Sequence, residues 1–325
     1  MKKILFIPVG GTICTALTEK GTLAVNKGAG AVIIENFIKS GSPFADEAEF
    51  VTTENLMILS ENMTVEKWNL MLDTYRSRKG NFDGVIFAHG TDTLAFSAAL
   101  FSLMPKEIPV FFVSSNARLD SSRANGNQNF RCAVECICKG IAPGVYVPYK
   151  NISSGKMLLH HGSRIKQCPN YSEDFESVGA IDLSAGEVLP QKMSIEKALP
   201  KNLWEKLRLQ DRVLVLQPYV GLNYDAVDYS KFSAVLHGTY HSGTACTGDG
   251  KNSILHMIDL CKGKTHVYLS PSKAEGEIYD TVRIIAEHGG VEFLYGDTFE
   301  LAYAKLLVAY SLFNNKEEII KFVKG

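Results

Sequence analysis

Three side chains that could take part in catalysis, those of Thr91, Asp92 and Thr93, follow one another in the sequence. They come after the apolar residues 85–88 and the pair His89 and Gly90. Residues 94–103 then repeat apolar side chains at helical spacing, so the pattern predicts a strand-to-helix turn. Ligands bind at the carboxyl ends of strands in open parallel sheets, and a helix start offers unpaired N–H groups to an anion. A helix cap needs only one such residue. Two hydroxyls and a carboxylate in a row therefore favour a binding or catalytic site over capping alone.

A second candidate is the hydroxyl of Thr12, which follows the first apolar run and the pair Gly10 and Gly11. Paired glycines let a backbone approach a substrate closely and can direct N–H groups at an oxyanion. A threonine hydroxyl is a weak nucleophile that needs a base or a polarising network. Together with the Thr91–Asp92 pair, Thr12 suggests covalent catalysis, whereas alone it would be typical of a tight turn. The G-x-G-x-x-G spacing of dinucleotide-binding sites is absent.

Composition restricts the class of protein that these residues belong to. The chain has 325 residues, of which 46% are hydrophobic and 21% charged, as in ordinary globular proteins. The formal net charge of −1 gives no global field for nucleic acid or an anionic membrane. No apolar run reaches the roughly 20 residues needed to span a bilayer. Seven cysteines, three of them clustered without a second ligand pair, favour reduced thiols in a cytoplasmic protein without metal or cofactor.

Strands and helices alternate along the chain, which is typical of parallel sheets covered on both faces. Periodicity weakens after this first alternation, and a second α/β alternation begins at residue 212. The sequence therefore predicts an α/β protein of two domains with mainly parallel sheets, a larger N-terminal domain and a smaller C-terminal one. The predicted boundaries are residues 1–188, a linker at 189–211, and residues 212–325. Polar loops at Thr12, Ser60, Thr91 and Ser115 are expected at one carboxyl edge.

Two motifs, Val9 to Ile13 and His89 to Thr93, resemble those of the bacterial-type asparaginase/glutaminase family, Thr-Gly-Gly-Thr-Ile and His-Gly-Thr-Asp-Thr. The second match is complete, and the loop Ser60 to Thr64 before Trp68 is similar to the family's intervening segment. The resemblance covers roughly the first 180 residues. It implies two α/β domains, homodimers or homotetramers with active sites near subunit contacts, and a small amino-acid or amide substrate. Without an evident export signal, the chain resembles the cytoplasmic type I branch.

The resemblance also implies roles for individual residues. Thr12 would attack the side-chain amide, Thr91 would assist proton transfer, and Asp92 would hold the substrate α-amino group. Ser60 would bind the α-carboxylate. The implied catalytic set is Thr12, Thr91, Asp92 and Lys166. The implied substrate-binding set is Gly11, Ser60, Glu61, Gly90 and Asp92.

The lysine position admits two alignments. The family places a lysine after a Gly-Lys-Leu-Leu-Arg-Gly-Asn-Arg type segment, which residues 155–166 resemble. A one-residue gap makes Lys166 the counterpart, and the gap-free alignment puts His160 there. Histidine, with a reference pKa near 6.5, can act as a base unaided, whereas lysine must first lose its proton. The resemblance favours Lys166.

Two features depart from the family pattern. The family carries a tyrosine beside a glycine in its first loop, but Thr22 follows Gly21 here and no tyrosine precedes Tyr75. In the second domain, the loop at residues 236–244 shows no evident counterpart of the asparagine that the family often has there. Its glycines argue against a helical His-x-x-x-His metal pair. Within this loop, a contribution to a pocket across a dimer interface is expected from Tyr240, His241 or Ser242.

The sequence thus predicts a cytoplasmic amidohydrolase that acts on L-asparagine or a related small amide through a threonine nucleophile. The departures from the family pattern motivate an alternative, a catalytically impaired member that senses an amino acid, or a hydrolase of a different amide. A third interpretation is an amidotransferase-type protein with a nucleic-acid-linked substrate. The extra N-terminal region of such family members is not evident, and the chain has no excess of basic residues, so both observations argue against this interpretation. No nucleic-acid or membrane partner is therefore predicted.

Overall fold

The computed structural model describes residues 1–17, 23–25, 28–77, 80–105, 107–186, 188–190, 198–273 and 275–325. The chain forms two compact units, Met1–Trp204 and Glu205–Gly325. The boundary between them falls inside the range 189–211, of which residues 191–197 lie outside the described part of the chain.

The first unit is built on a seven-stranded sheet. Its strands are β1 (Lys2–Pro8), β4 (Ala48–Thr52), β5 (Gly84–Ala88), β6 (Val110–Val113), β7 (Val145–Lys150), β8 (Met157–His161) and β9 (Ile181–Asp182). They lie in the order β4-β1-β5-β6-β7-β8-β9. Neighbouring strands from β4 to β7 are parallel, and β8 and β9 are added antiparallel. A separate hairpin pairs β2 (Thr15–Leu17) with β3 (Leu23–Val25).

Helices of the first unit cover this sheet because its central strands are apolar on both faces. All five residues of β5 are buried, as the unbroken apolar run predicts for a central parallel strand. The helices are α1 (Ala29–Lys39), α2 (Val65–Ser77), α3 (Leu94–Ser102) and α4 (Gly126–Cys138), with the short α5 (Lys201–Lys206) at the unit boundary. Eight of the nine α3 residues are buried, so the helix that follows the polar turn is fixed inside the core.

The second unit contains a four-stranded, fully parallel sheet. Its strands are β10 (Val213–Leu216), β11 (Ala234–His237), β12 (His266–Ser272) and β13 (Val291–Tyr295), and they lie in chain order. Its helices are α6 (Ile254–Cys261), α7 (Asp280–His288), α8 (Phe299–Leu312) and α9 (Lys316–Lys324). Two units with mainly parallel sheets confirm the predicted α/β class. None of the helices in the described ranges has both the length and the apolar character to cross a membrane.

Candidate active site

The loops that follow β1 and β5 emerge side by side. In the parallel register of these strands Pro8 lies opposite Ala88, so the polar residues after each strand are neighbours. Gly11, at a φ of 74°, lies so close to Gly90 that a Cβ at Gly11 would overlap the Gly90 backbone. A Cβ at Gly90 would in turn lie 2.6 Å from the Ser60 Cβ and 3.0 Å from the Gly11 Cα. Three loops therefore touch through positions that have room only for glycine.

Ser60 joins the third loop to the turn after β5. Its hydroxyl donates a hydrogen bond of 2.7 Å to the Asp92 carboxylate, and its carbonyl accepts one of 2.9 Å from the Thr93 hydroxyl. Ser60 is only 4% exposed, whereas Asp92 is exposed to solvent. The buried serine therefore holds the turn after β5 in place and leaves the Asp92 carboxylate accessible to a ligand.

Thr12 is the first residue of a short 3₁₀ helix, Thr12–Cys14, and is half-buried. Its carbonyl accepts a hydrogen bond of 2.8 Å from the Thr15 hydroxyl. Thr91 is half-buried in the turn after β5. Within the described ranges, neither the Thr12 nor the Thr91 hydroxyl has a hydrogen-bond partner, so both can interact with a substrate.

A buried chain of hydrogen bonds supports this turn from inside the core. Trp68 Nε1 donates to Ser97 Oγ at 2.9 Å, Ser97 Oγ lies 2.9 Å from His89 Nε2, and His89 Nδ1 lies 2.8 Å from the Gly90 carbonyl oxygen. These contacts are all hydrogen bonds when Ser97 donates to Nε2 and a neutral His89 donates from Nδ1. Burial lowers the pKa of His89 to about 4, which keeps the ring neutral. The network involves β5, α3 and α2.

The two residues aligned with the family lysine lie in different environments. Lys166 is exposed, and its backbone N–H donates to the Glu176 carbonyl at 3.0 Å. In the described part of the chain its ammonium group has no hydrogen-bond or ion-pair partner. His160 is fully buried, with Nδ1 at 2.8 Å from Ser177 Oγ, and burial lowers its pKa to about 4. Of the two, only Lys166 is open to solvent.

Gln167, which the sequence did not single out, reaches the candidate site. Its Nε2 donates to the Asp92 carbonyl oxygen at 3.3 Å. Only its position next to Lys166 could have pointed to it. This contact brings the segment that carries Lys166 against the turn that carries Thr91 and Asp92.

The remaining candidate residues lie apart from these contacts. Glu61 is exposed in the 3₁₀ helix Ser60–Asn62. The departure at Gly21 and Thr22 lies outside the described residues. In the second unit the Tyr240 carbonyl accepts from Gly243 N–H at 2.8 Å, which forms a tight loop as its glycines predict. No group of three or more His, Cys, Asp or Glu side chains that could hold a metal ion occurs in the described ranges.

His237 repeats the arrangement of His89 at the end of β11. It is fully buried, its Nδ1 lies 2.5 Å from the Gly238 carbonyl oxygen, and its Nε2 lies 2.7 Å from the Tyr224 hydroxyl. Burial lowers its pKa to about 4. In both sheets a neutral histidine therefore satisfies the backbone where a parallel strand ends.

Known proteins include relatives of this sequence. A family model described as "Asparaginase, N-terminal" matches residues 3–196. A glutamyl-tRNA(Gln) amidotransferase subunit from Archaeoglobus fulgidus is 30% identical over 292 residues, covering 82% of this chain and 66% of that protein. The corresponding protein of Haloquadratum walsbyi is 27% identical, covering 97% of this chain and 72% of that protein. The chain thus spans about two thirds of the length of these archaeal relatives.

Solved structures share the fold. The thermostable L-asparaginase from Thermococcus kodakarensis superimposes with a TM-score of 0.75 at 22% identity, covering 99% of this chain and 97% of the other. L-asparaginase I from Vibrio cholerae gives 0.71 at 22% identity, covering 100% and 97%. At these identities the likeness shows the fold alone, whereas the family model covers more than half of the chain. The chain therefore belongs to the asparaginase family.

Proposed function

We propose that this chain hydrolyses the side-chain amide of a small amino acid, with L-asparagine as the first candidate. The observation that carries the proposal is the contact between the three loops of Thr12, Ser60 and Thr91, closed by the 2.7 Å hydrogen bond from Ser60 to Asp92. Among the described residues, these loops carry two hydroxyls without partners, those of Thr12 and Thr91, and the accessible carboxylates of Asp92 and Glu61. Membership of the asparaginase family supports amide hydrolysis as the reaction class.

In the proposed reaction the Thr12 oxygen attacks the amide carbon. The carbon–nitrogen bond breaks, ammonia leaves, and an ester forms on Thr12, which water then hydrolyses to the free acid. Thr91, Asp92 and Lys166 would carry the proton from Thr12 to the leaving nitrogen. The Gln167 contact with Asp92 supports this role for Lys166, because it holds the neighbouring residue at the turn.

The substrate's two charges match the groups around the proposed nucleophile. The Asp92 carboxylate would bind the α-ammonium group, and the Ser60 hydroxyl would turn from Asp92 to donate to the α-carboxylate when the substrate binds. Gly11 and Gly90 would hold the substrate-binding loops against each other, because neither residue carries a side chain at their point of contact. Glu61, which is exposed beside Ser60, would line the entrance.

Ammonia release from L-asparagine, L-glutamine and a panel of other small amides tests the proposal. Thr12→Ala and Thr91→Val should each lower kcat by about 100-fold or more, because each removes a group that acts in the transition state. Thr74→Val is the matched control, since Thr74 lies on α2 and its hydroxyl donates to the Leu70 carbonyl of the same helix. Equal release by wild type and both site variants on every amide would reject the proposal. Calorimetric binding of L-asparagine without ammonia release would instead support the amino-acid sensor.

A second candidate function comes from the names of the archaeal relatives. Both relatives described above are subunits of glutamyl-tRNA(Gln) amidotransferases, so the chain could release ammonia from glutamine for transfer to another substrate. The discriminating measurement compares kcat/KM for glutamine and asparagine with and without glutamyl-tRNA(Gln). Glutamine turnover that rises with the tRNA favours this candidate, and asparagine turnover that ignores the tRNA favours the first.

The assembly and location of the protein are also proposals. We expect a homodimer or homotetramer in the cytoplasm, as the family resemblance implies. One of the structural neighbours is a probable cytoplasmic L-asparaginase from Campylobacter jejuni. Light scattering on the purified chain measures the mass directly, and a monomer at micromolar concentration would contradict the expected assembly.

A further inference from the structure

Two cysteines of α4 lie on the same face of the helix and open into one cavity. Cys132 and Cys136 are four residues apart, so their side chains lie one turn above the other. Both line a cavity of about 680 Å³. Met157, the first residue of β8, lines the same cavity. Three sulfur-containing side chains from two elements therefore border a single space.

The thiols of Cys132 and Cys136 interact with each other. The hydrogen bond with Cys136 is the main reason that the pKa of Cys132 lies well above its ordinary value, and burial adds to the increase. Cys136 is 3% exposed and Cys132 is half-buried. Thiols held in this way are poor nucleophiles, because the thiolate is the reactive form. A cation that binds sulfur strongly can still displace their protons.

The charges around the cavity suit an anionic product. Its charged lining among the described residues consists of three cations and one anion, namely Arg131, Lys139, Lys150 and Glu135. Glu135 accepts from Arg131 Nε at 2.7 Å and lies 4.0 Å from Lys139 Nζ. The Lys150 ammonium has no partner in the described part of the chain. The lining therefore has a net positive charge next to the sulfur-containing side chains.

We propose that Cys132, Cys136 and Met157 form a binding site for a soft monovalent metal ion of the Cu(I) class. Thiolate and thioether ligands select Cu(I), whereas structural zinc requires four ligands. One Cu(I) ion forms two copper–thiolate bonds, two S–H bonds break, and both protons pass to the buffer. The oxidation state of copper is unchanged. The resulting bis-thiolate complex has one negative charge, which the cations of the lining offset.

Anaerobic competition between the full-length chain and a Cu(I)–bicinchoninate complex tests this site. Wild type should take one equivalent of Cu(I) from the bicinchoninate complex. Cys132→Ser and Cys136→Ser should leave this copper on the complex, because each variant should bind Cu(I) about tenfold more weakly or worse. Cys246→Ser is the matched control, because Cys246 is exposed in the second unit. Its uptake should equal that of wild type. Equal uptake by wild type and both α4 variants would overturn the proposal.

X-ray absorption on the copper-loaded wild type gives a measurement that does not depend on variant folding. It should show copper bound by three sulfur atoms. Copper bound by nitrogen or oxygen would overturn the site. Met157→Leu should weaken binding several-fold, and unchanged affinity in this variant would overturn the three-sulfur assignment.

Discussion

Glycine determines how closely the residues of the candidate site can approach each other. The backbones of Gly11 and Gly90 are in contact and leave no room for a Cβ on either residue. Ser60 packs against Gly90 at the same place. Gly11 also has a left-handed φ of 74° that other residues rarely adopt. Thr12 and Thr91 each follow one of these glycines, so backbone contact positions both threonines before any side-chain interaction contributes.

We predict that Gly90→Ala abolishes amide hydrolysis while the chain still folds. The new methyl group would overlap Ser60 and Gly11, and such overpacking typically costs about 1–3 kcal/mol. Gly248→Ala is the matched control, because a Cβ there would meet only Cys246 Sγ at 3.8 Å. Steady-state kinetics and thermal unfolding of both variants provide the comparison. Full activity in Gly90→Ala would show that the close approach is not needed.

Lys166 and His160 can be separated by a second pair of variants. Lys166→Met should lower kcat by about 100-fold or more, because a positioned proton-transfer group typically contributes a factor of this size. His160→Gln should retain kcat, since the ring is fully buried and hydrogen-bonded to Ser177. Lys251→Met, a change at an exposed lysine of the second unit, is the control for loss of charge. The reverse pattern in a kcat assay would assign the role to His160.

At the scale of elements, the helix α3 does more than cover the sheet. Ser97 on α3 connects His89 at the end of β5 with Trp68 on α2, and all three side chains are buried. A buried network of this kind restrains its members only while every polar group has a partner. The packing of α2 and α3 therefore fixes the carbonyl of Gly90 and, through it, the turn that carries Thr91.

We predict that Ser97→Ala destabilises the protein by about 1–3 kcal/mol, because it removes two buried hydrogen bonds, those with His89 Nε2 and Trp68 Nε1. Ser102→Ala is the matched control on the same helix. Ser102 Oγ donates to the Ala98 carbonyl at 2.8 Å. Ser102→Ala therefore removes one hydrogen bond within α3 and leaves the network of His89 and Trp68 intact. Chemical denaturation measures both variants. Equal destabilisation would mean that the network contributes no more than a single hydrogen bond within a helix.

At the scale of the molecule, each unit buries neutral histidine. His89 and His160 in the first unit and His237 in the second are all fully buried, and burial lowers the pKa of each to about 4. The unfolded chain titrates these rings near pH 6.5. Between pH 6.5 and 4 the unfolded state therefore binds more protons than the folded state.

Acid should accordingly destabilise the protein in this range. The free energy of unfolding is unaffected by these histidines above about pH 6.5, where the rings are neutral in both states. As the pH falls toward 4, it decreases by up to about 3 kcal/mol per histidine, because only the unfolded state takes up the protons. The three buried rings act in the same direction, so their contributions to the loss of stability add.

We predict that the thermal unfolding midpoint falls steeply between pH 6.5 and 4, and that His160→Gln makes this fall shallower. His241→Gln is the control, because His241 is exposed and should leave the slope unchanged. Thermal unfolding followed by circular dichroism at half-unit pH steps measures all three proteins. An identical slope in wild type and His160→Gln would contradict the assignment of a buried neutral ring.

The sequence by itself determined the α/β class and indicated most residues of the candidate site. Apolar runs that end in Gly10 and Gly90 predict strands and their polar ends, because these patterns reflect the local preferences of neighbouring residues. The complete His-Gly-Thr-Asp-Thr motif indicated the family, which the family model then showed. Thr12, Ser60 and Thr91 could be predicted at one edge because parallel strands place their carboxyl ends together.

Only the tertiary structure decided which of these residues touch. The bond from Ser60 to Asp92 joins residues 32 apart, and Gln167 reaches Asp92 across 75 residues. The antiparallel addition of β8, which buries His160, was likewise not predicted from the sequence. Such contacts depend on strand register and on the packing of helices against the sheet, neither of which is encoded in a local pattern. Local sequence patterns therefore indicated the candidate residues, and long-range packing brought them into contact.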